Sequence, residues 1–155
     1  MLSQERLLNE FKNIERELPL FRTVNGNLKY YRGWINGPQN SPYENHFYLI
    51  EIQLPDDYPF EPPQVRFLTK IWHPNVNPNT GEICNDILKI TGEGEVTWSP
   101  GSDIVSVIMN IIGMLGGNFN FKSPLNPESA KQSARNFEKT AREWTEKYAA
   151  RAPEI

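Results

Sequence analysis

The chain of 155 residues holds one thiol, Cys84, so any chemistry that needs a nucleophilic sulfur must use it. Cys84 closes the run His73-Pro74-Asn75-Val76-Asn77-Pro78-Asn79-Thr80-Gly81-Glu82-Ile83-Cys84. A lone cysteine is commonly just a small buried hydrophobe, so its neighbours decide the reading. With an ordinary pKa of about 8.5, only a few per cent of a thiol is ionised at pH 7. A thiolate nucleophile needs access, and it needs something to stabilise the negative oxygen formed on the attacked carbonyl. Cysteine hydrolases use a histidine base. His46 and His73 are the candidates here, but neither has an orienting partner visible in sequence, and no hydrolase signature surrounds Cys84. Asn75 offers another device, a neutral carboxamide whose NH₂ can donate to the oxyanion, worth roughly 10²–10³ in rate.

The same counts exclude other chemistries. One cysteine forms no internal disulfide and no cysteine-based metal cluster, and two histidines argue against a structural metal site. No metal or organic cofactor is expected. The net charge of −3, without a basic stripe, argues against nucleic-acid binding. No apolar run approaches the roughly 18–20 residues of a membrane span, and no charged-then-apolar leader opens the sequence. The expectation is a soluble intracellular protein with no membrane partner. At 38% hydrophobic and 23% charged, the composition is that of a globular chain, and the length suits a single domain over residues 1–155.

The elements that would hold such a site follow from periodicity. Leu7, Phe11, Ile14 and Leu18 have helical spacing, with Arg6, Glu10, Lys12, Glu15 and Arg16 expected outward, and Pro19 ends the helix. Asn25-Gly26 is a turn, followed by a strand from Leu28 to Ile35. From His46 to Leu54 the chain alternates, with Tyr48, Ile50, Ile52 and Leu54 on one face and Glu51 and Gln53 on the other. A short strand from Gln64 to Leu68 continues an antiparallel meander. Residues 71–101 are irregular but carry Ile71, Trp72, Ile83, Ile87, Leu88 and Trp98, so they are expected to follow an ordered path on the core. Ser102-Asp103 opens a helix that is apolar nearly all round, hence expected to be buried, and Gly116-Gly117 stops it. Asn126-Pro127-Glu128 starts a last helix whose Ala130, Ala134, Phe137, Ala141, Trp144 and Tyr148 recur at spacings of three and four, running to about Ala150.

These pieces, in this order, resemble the ubiquitin-conjugating enzymes along nearly the whole chain. The matching residues begin with Gly37-Pro38, Ser41-Pro42-Tyr43, Leu54-Pro55-Asp56-Asp57-Tyr58-Pro59-Phe60 and Pro62-Pro63. They continue with Thr69-Lys70-Ile71-Trp72-His73-Pro74-Asn75, Gly81-Glu82-Ile83-Cys84, Asp86-Ile87-Leu88, Trp98-Ser99-Pro100 and Ala141-Arg142-Glu143-Trp144-Thr145-Glu146-Lys147-Tyr148-Ala149. The resemblance implies an α+β fold: an N-terminal helix, a four-stranded antiparallel meander, an active-site segment, a buried central helix and C-terminal helices. The fourth strand comes from the resemblance alone.

The resemblance also implies roles. Cys84 would accept ubiquitin or a ubiquitin-like modifier as a thioester from an activating enzyme and pass it to a substrate lysine, usually with a ubiquitin ligase. Asn75 would stabilise the oxyanion or hold the adjoining loop. His73 would shape that loop rather than act as a base. Asp86 would orient or desolvate the incoming lysine, the alternative being a solvated loop carboxylate. Ser123 would stand at the mouth of the site. Arg6, Phe60, Ser99, Pro100 and Gly101 would meet the ligase, Phe60 as an exposed anchor unless it folds onto the core. The location expected is cytoplasmic, with the nucleus open as well in a eukaryote. Two rivals stay open, a non-catalytic interaction module of the same fold and a conjugating enzyme for a different ubiquitin-like protein. The chain departs from the family pattern at Glu44-Asn45-His46, where two glycines are common, so that hairpin must close differently. It also departs between Asn75 and Cys84, which is about one residue longer than usual, at Asn85, and in the longer stretch Lys89 to Thr97, either a flap beside the thiol or a tolerated surface insertion.

Overall fold

The computed structural model describes residues 2–83, 98–117 and 124–154. Cys84, Asp86 and Ser123 lie outside the described residues, as do Ile87, Leu88 and the Lys89 to Thr97 stretch.

Helix α1 (Leu2–Glu17) turns Leu7 and Ile14 into the core, and Leu18 follows them just past its end. Glu10, expected to face water, is only 3% exposed. It lies on the apolar side of the helix, between Leu7 and Ile14, and is tolerated there because its carboxylate is hydrogen-bonded. Strand β1 (Phe21–Val24), which periodicity did not reveal, pairs with β2 (Asn27–Asn36) across a two-residue turn. Asn25 and Gly26 both take left-handed backbone there (φ 55° and 70°), the conformation that matches the twist of a tight hairpin.

The link from β2 to β3 (Phe47–Gln53) closes without the two glycines common in the family. Asn45 takes the left-handed position (φ 63°), His46 Nδ1–H donates to the Glu44 carbonyl at 2.9 Å, and Gly37 N–H donates to the His46 carbonyl at 2.9 Å. Along β3, Tyr48, Ile50 and Ile52 alternate inward as expected. Glu51, on the opposite face, is nevertheless buried. Arg66 Nε donates to it at 2.8 Å and the Tyr30 hydroxyl at 2.6 Å, and the two side chains cover it. Strand β4 (Gln64–Phe67) completes an antiparallel sheet in the order β1-β2-β3-β4.

Helix α2 (Ile104–Leu115) begins at Asp103, whose side chain accepts the Ser106 N–H at 2.7 Å, and ends at Gly116. It packs beside α1, and Ile104, Val107, Ile108, Ile111, Met114 and Leu115 join the core. The helix is buried along its core face as expected, though not all round. Met109 is 49% exposed and Val105 and Ile112 are only partly covered. The one helix that periodicity predicts after Asn126 is two, α3 (Pro127–Lys131) and α4 (Ala134–Tyr148), in keeping with the C-terminal helices the resemblance implies. Gln132 is extended, and the Ser133 hydroxyl accepts the Asn136 N–H to start the second helix. Apolar spacing carries through the break, so periodicity did not reveal it. No helix among the described residues is long and apolar enough to cross a membrane.

Candidate active site

The segment leading to Cys84 is held by its own short-range bonds and by β4. Asn77 Oδ1 accepts the N–H groups of Asn79 (2.8 Å) and Thr80 (3.1 Å), a turn that asparagine forms readily. Gly81 N–H donates to the Asn77 carbonyl, Asn77 N–H to the Glu82 carbonyl, and Phe67 N–H to the Gly81 carbonyl at 2.9 Å. Gly81 has φ +77°, and a side-chain carbon there would stand 1.8 Å from the Phe67 carbonyl oxygen. Only glycine fits. Arg66 is bridged to Glu82 and Val76 to Ile83. The residue after Asn75 is thus paired with the residue before Cys84.

His73 and Asn75 are fully buried. Asn75 N–H donates to His73 Nδ1 at 3.0 Å, so that nitrogen carries no proton. His73 Nε2–H donates to the Met114 carbonyl at 3.1 Å near the end of α2. The tautomer follows from those two partners. Burial drives the pKa of His73 down to about 4, with the Met114 bond opposing, so the ring is neutral at pH 7 and both nitrogens are engaged. Pro74 accepts the N–H groups of Leu125 (2.9 Å) and Asn126 (3.1 Å). The Tyr43 hydroxyl donates to the Trp72 carbonyl at 2.6 Å, and Trp72 Nε1–H to Gln132 Oε1 at 2.8 Å. The His73-Pro74-Asn75 loop is therefore pinned from α2, from the approach to α3, from the link before β3 and from the α3–α4 junction. His46 sits elsewhere, 3.7 Å from Glu146. Among the described residues no group of three or more His, Cys, Asp or Glu side chains could hold a metal ion.

The residues expected to meet a ligase form one patch. Phe60 is 78% exposed, Pro100 and Gly101 are exposed, and Ser99 and Arg6 are half-buried. Arg6 is not a free surface cation. Its Nη1–H donates to the Pro100 carbonyl at 2.7 Å and its Nη2–H to the Ser102 carbonyl, and it lies over the Tyr58 ring at 5.3 Å. Trp98 Nε1–H donates to the Pro59 carbonyl at 2.9 Å, joining the two loops. Reading the residues alone missed Glu10, Tyr58, Met114 and Gln132 as supports. Nothing local marks them, because their partners lie between 41 and 94 positions away.

The family model described as ubiquitin-conjugating enzyme matches residues 6–148. The chain is 43% identical over 131 residues to ubiquitin-conjugating enzyme E2 13 of Saccharomyces cerevisiae, a match covering 83% of this chain and 80% of that one. It is 39% identical over 134 residues to ubiquitin-conjugating enzyme E2 1 of Schizosaccharomyces pombe, a match that takes in 83% of this chain but only 57% of that protein's length. Among solved structures, the E2 domain of a Toxoplasma gondii ubiquitin-conjugating enzyme superposes with a TM-score of 0.82 at 38% identity, covering 95% of this chain and 99% of the other. A loop built on a buried histidine and asparagine beside the approach to a lone cysteine, an antiparallel four-stranded sheet flanked by helices, and these matches together assign the chain to the ubiquitin-conjugating enzyme family.

Proposed function

We propose that the protein carries ubiquitin, or a ubiquitin-like modifier, as a thioester on Cys84 and delivers it to a lysine amine. The Cys84 thiolate attacks the thioester of a modifier-loaded activating enzyme, and the activating enzyme's thiolate leaves. In the second step a neutral lysine amine attacks the Cys84 thioester, the Cys84 thiolate leaves, and the amine gives up a proton to form the amide. A thioester is already activated, so the protein's work is positioning, exclusion of water and stabilisation of the oxyanion. Asn75 serves that last task with its NH₂, either by donation to the oxygen or by bracing the loop around it. Asp86 orients or desolvates the lysine, and Ser123 stands at the mouth. His73 is a loop brace in this reading. Its two nitrogens are engaged and its low pKa leaves it a poor base at neutral pH. A ligase docks on Arg6, Phe60 and the Ser99–Gly101 turn.

The observation that supports this reading most is the buried His73-Pro74-Asn75 loop tied through Val76 to Ile83, directly before the only cysteine. The test is incubation with activating enzyme, ATP and a panel of modifiers. One modifier is expected to give an adduct that thiol reductant removes and that is lost in Cys84→Ala. An adduct formed equally on Cys84→Ala refutes the site. Loading by a modifier other than ubiquitin alone would select the rival within the family, and no loading by any would select the interaction module.

A further inference from the structure

Glu10 is a carboxylate buried in the core side of α1 that the transfer chemistry does not use. Its Oε2 accepts two bonds, from the Tyr58 hydroxyl and from the backbone N–H of Ile104 at 3.1 Å. Tyr58 lies within the turn of residues 56–60 that presents Phe60, and Ile104 is the first residue of α2, just after the Ser99–Gly101 turn. Arg6, one turn earlier on the same helix, holds the carbonyls of Pro100 and Ser102 and covers the Tyr58 ring. The rings of Tyr58 and Trp98 pack against each other at a tilt of 40°, centroids 5.6 Å apart, tying the two loops again. Three stretches of chain distant in sequence thus meet at one carboxylate and one guanidinium, and two of those stretches carry the exposed Phe60, Pro100 and Gly101.

We infer that Glu10 is a positioning residue for ligase-stimulated transfer, holding the Phe60 turn and the Ser99–Gly101 turn in a fixed relation so that the docking surface is formed before the ligase arrives. The inference rests on the docking reading given above. Burying a carboxylate is costly, and desolvation raises the pKa of Glu10 despite its bonds. An apolar side chain of similar size would fill the same volume with no such cost. What the carboxylate adds is direction. Two donors from different segments must converge on one oxygen, which fixes their spacing as packing alone does not. A surface held in its bound arrangement loses less conformational freedom on docking.

The test uses the full chain loaded with its modifier and a panel of isolated ligase catalytic domains, scored by acceleration of discharge to free lysine. Glu10→Leu is expected to keep ligase-independent discharge within about twofold and to lose about tenfold of the ligase-stimulated rate, the scale at which lost preorganisation is felt. Glu10→Gln keeps an acceptor oxygen in place and is expected to retain most of the stimulation. A packing role predicts no such difference between the two. If Glu10→Leu does not fold, Tyr58→Phe removes one donor only and is expected to reduce stimulation without slowing basal discharge. Phe60→Ala separates the two claims. If it abolishes stimulation while Glu10→Leu and Tyr58→Phe leave it intact, docking stands and the positioning role is refuted. If Phe60→Ala has no effect, or no domain accelerates the wild type, the docking reading fails and this inference falls with it.

Discussion

Replacing Gly81 by alanine probes how the segment before Cys84 is held. Gly81 sits at φ +77°, where an alanine costs about 1–2 kcal/mol in backbone strain. Its new methyl would also stand 1.8 Å from the Phe67 carbonyl oxygen, a distance no real contact permits, so the two strands of chain must separate. Separation breaks the Phe67 N–H bond to the Gly81 carbonyl, a further loss of about 1 kcal/mol. The sum, about 2–3 kcal/mol, corresponds to a fall in Tm of roughly 4–12 °C for a chain of this size. Gly26 supplies the control. It has nearly the same backbone (φ +70°) but nothing within 4 Å of an added carbon, so Gly26→Ala carries only the strain, about 1–2 kcal/mol. Thermal unfolding and thioester loading are measured on both. Gly81→Ala is expected to be the less stable and to load slowly, because the displaced segment leads straight into Cys84, whereas Gly26→Ala loads normally. Equal destabilisation by the two substitutions, with equal loading, would refute the claim that close approach to β4 sets the path of the active-site segment.

Asn75→Ala is expected to load nearly as well as the wild type but to discharge to lysine roughly 10²–10³ more slowly, in single-turnover assays of preloaded protein; unchanged discharge removes Asn75 from the mechanism. His73 makes stability depend on pH. Its folded pKa of about 4 lies below the ordinary 6.5, so between those values only the unfolded chain binds the proton, and stability rises with pH across that window and levels off above it. The full difference is about 3 kcal/mol. Urea unfolding of wild type and His73→Gln at pH 4.5, 5.5 and 7 checks it, the variant being expected to lose that part of the slope; an identical slope in both would contradict the assignment.

Much of this protein is written locally. The apolar stripe of Leu7, Ile14 and Leu18, the alternation through Tyr48, Ile50 and Ile52, the Asn25-Gly26 turn and the caps at Asp103 and Asn126 each depend on a few neighbours in the chain, and each lies where its pattern predicted. The candidate site was proposed from the same kind of local signal, the spacing of His73, Asn75 and Cys84 in one short segment. Tertiary structure alone decided the inward turn of Glu10, the covering of Glu51 by Arg66 and Tyr30, the open face at Met109, the existence of β1 and the break before Ser133. The physical reason is common to the buried polar groups. A charge is buried only when its partners exist, and for Glu10 those partners arrive from 48 and 94 positions along the chain. Periodicity records which side of an element is apolar, but not what the rest of the molecule will bring to meet the other side.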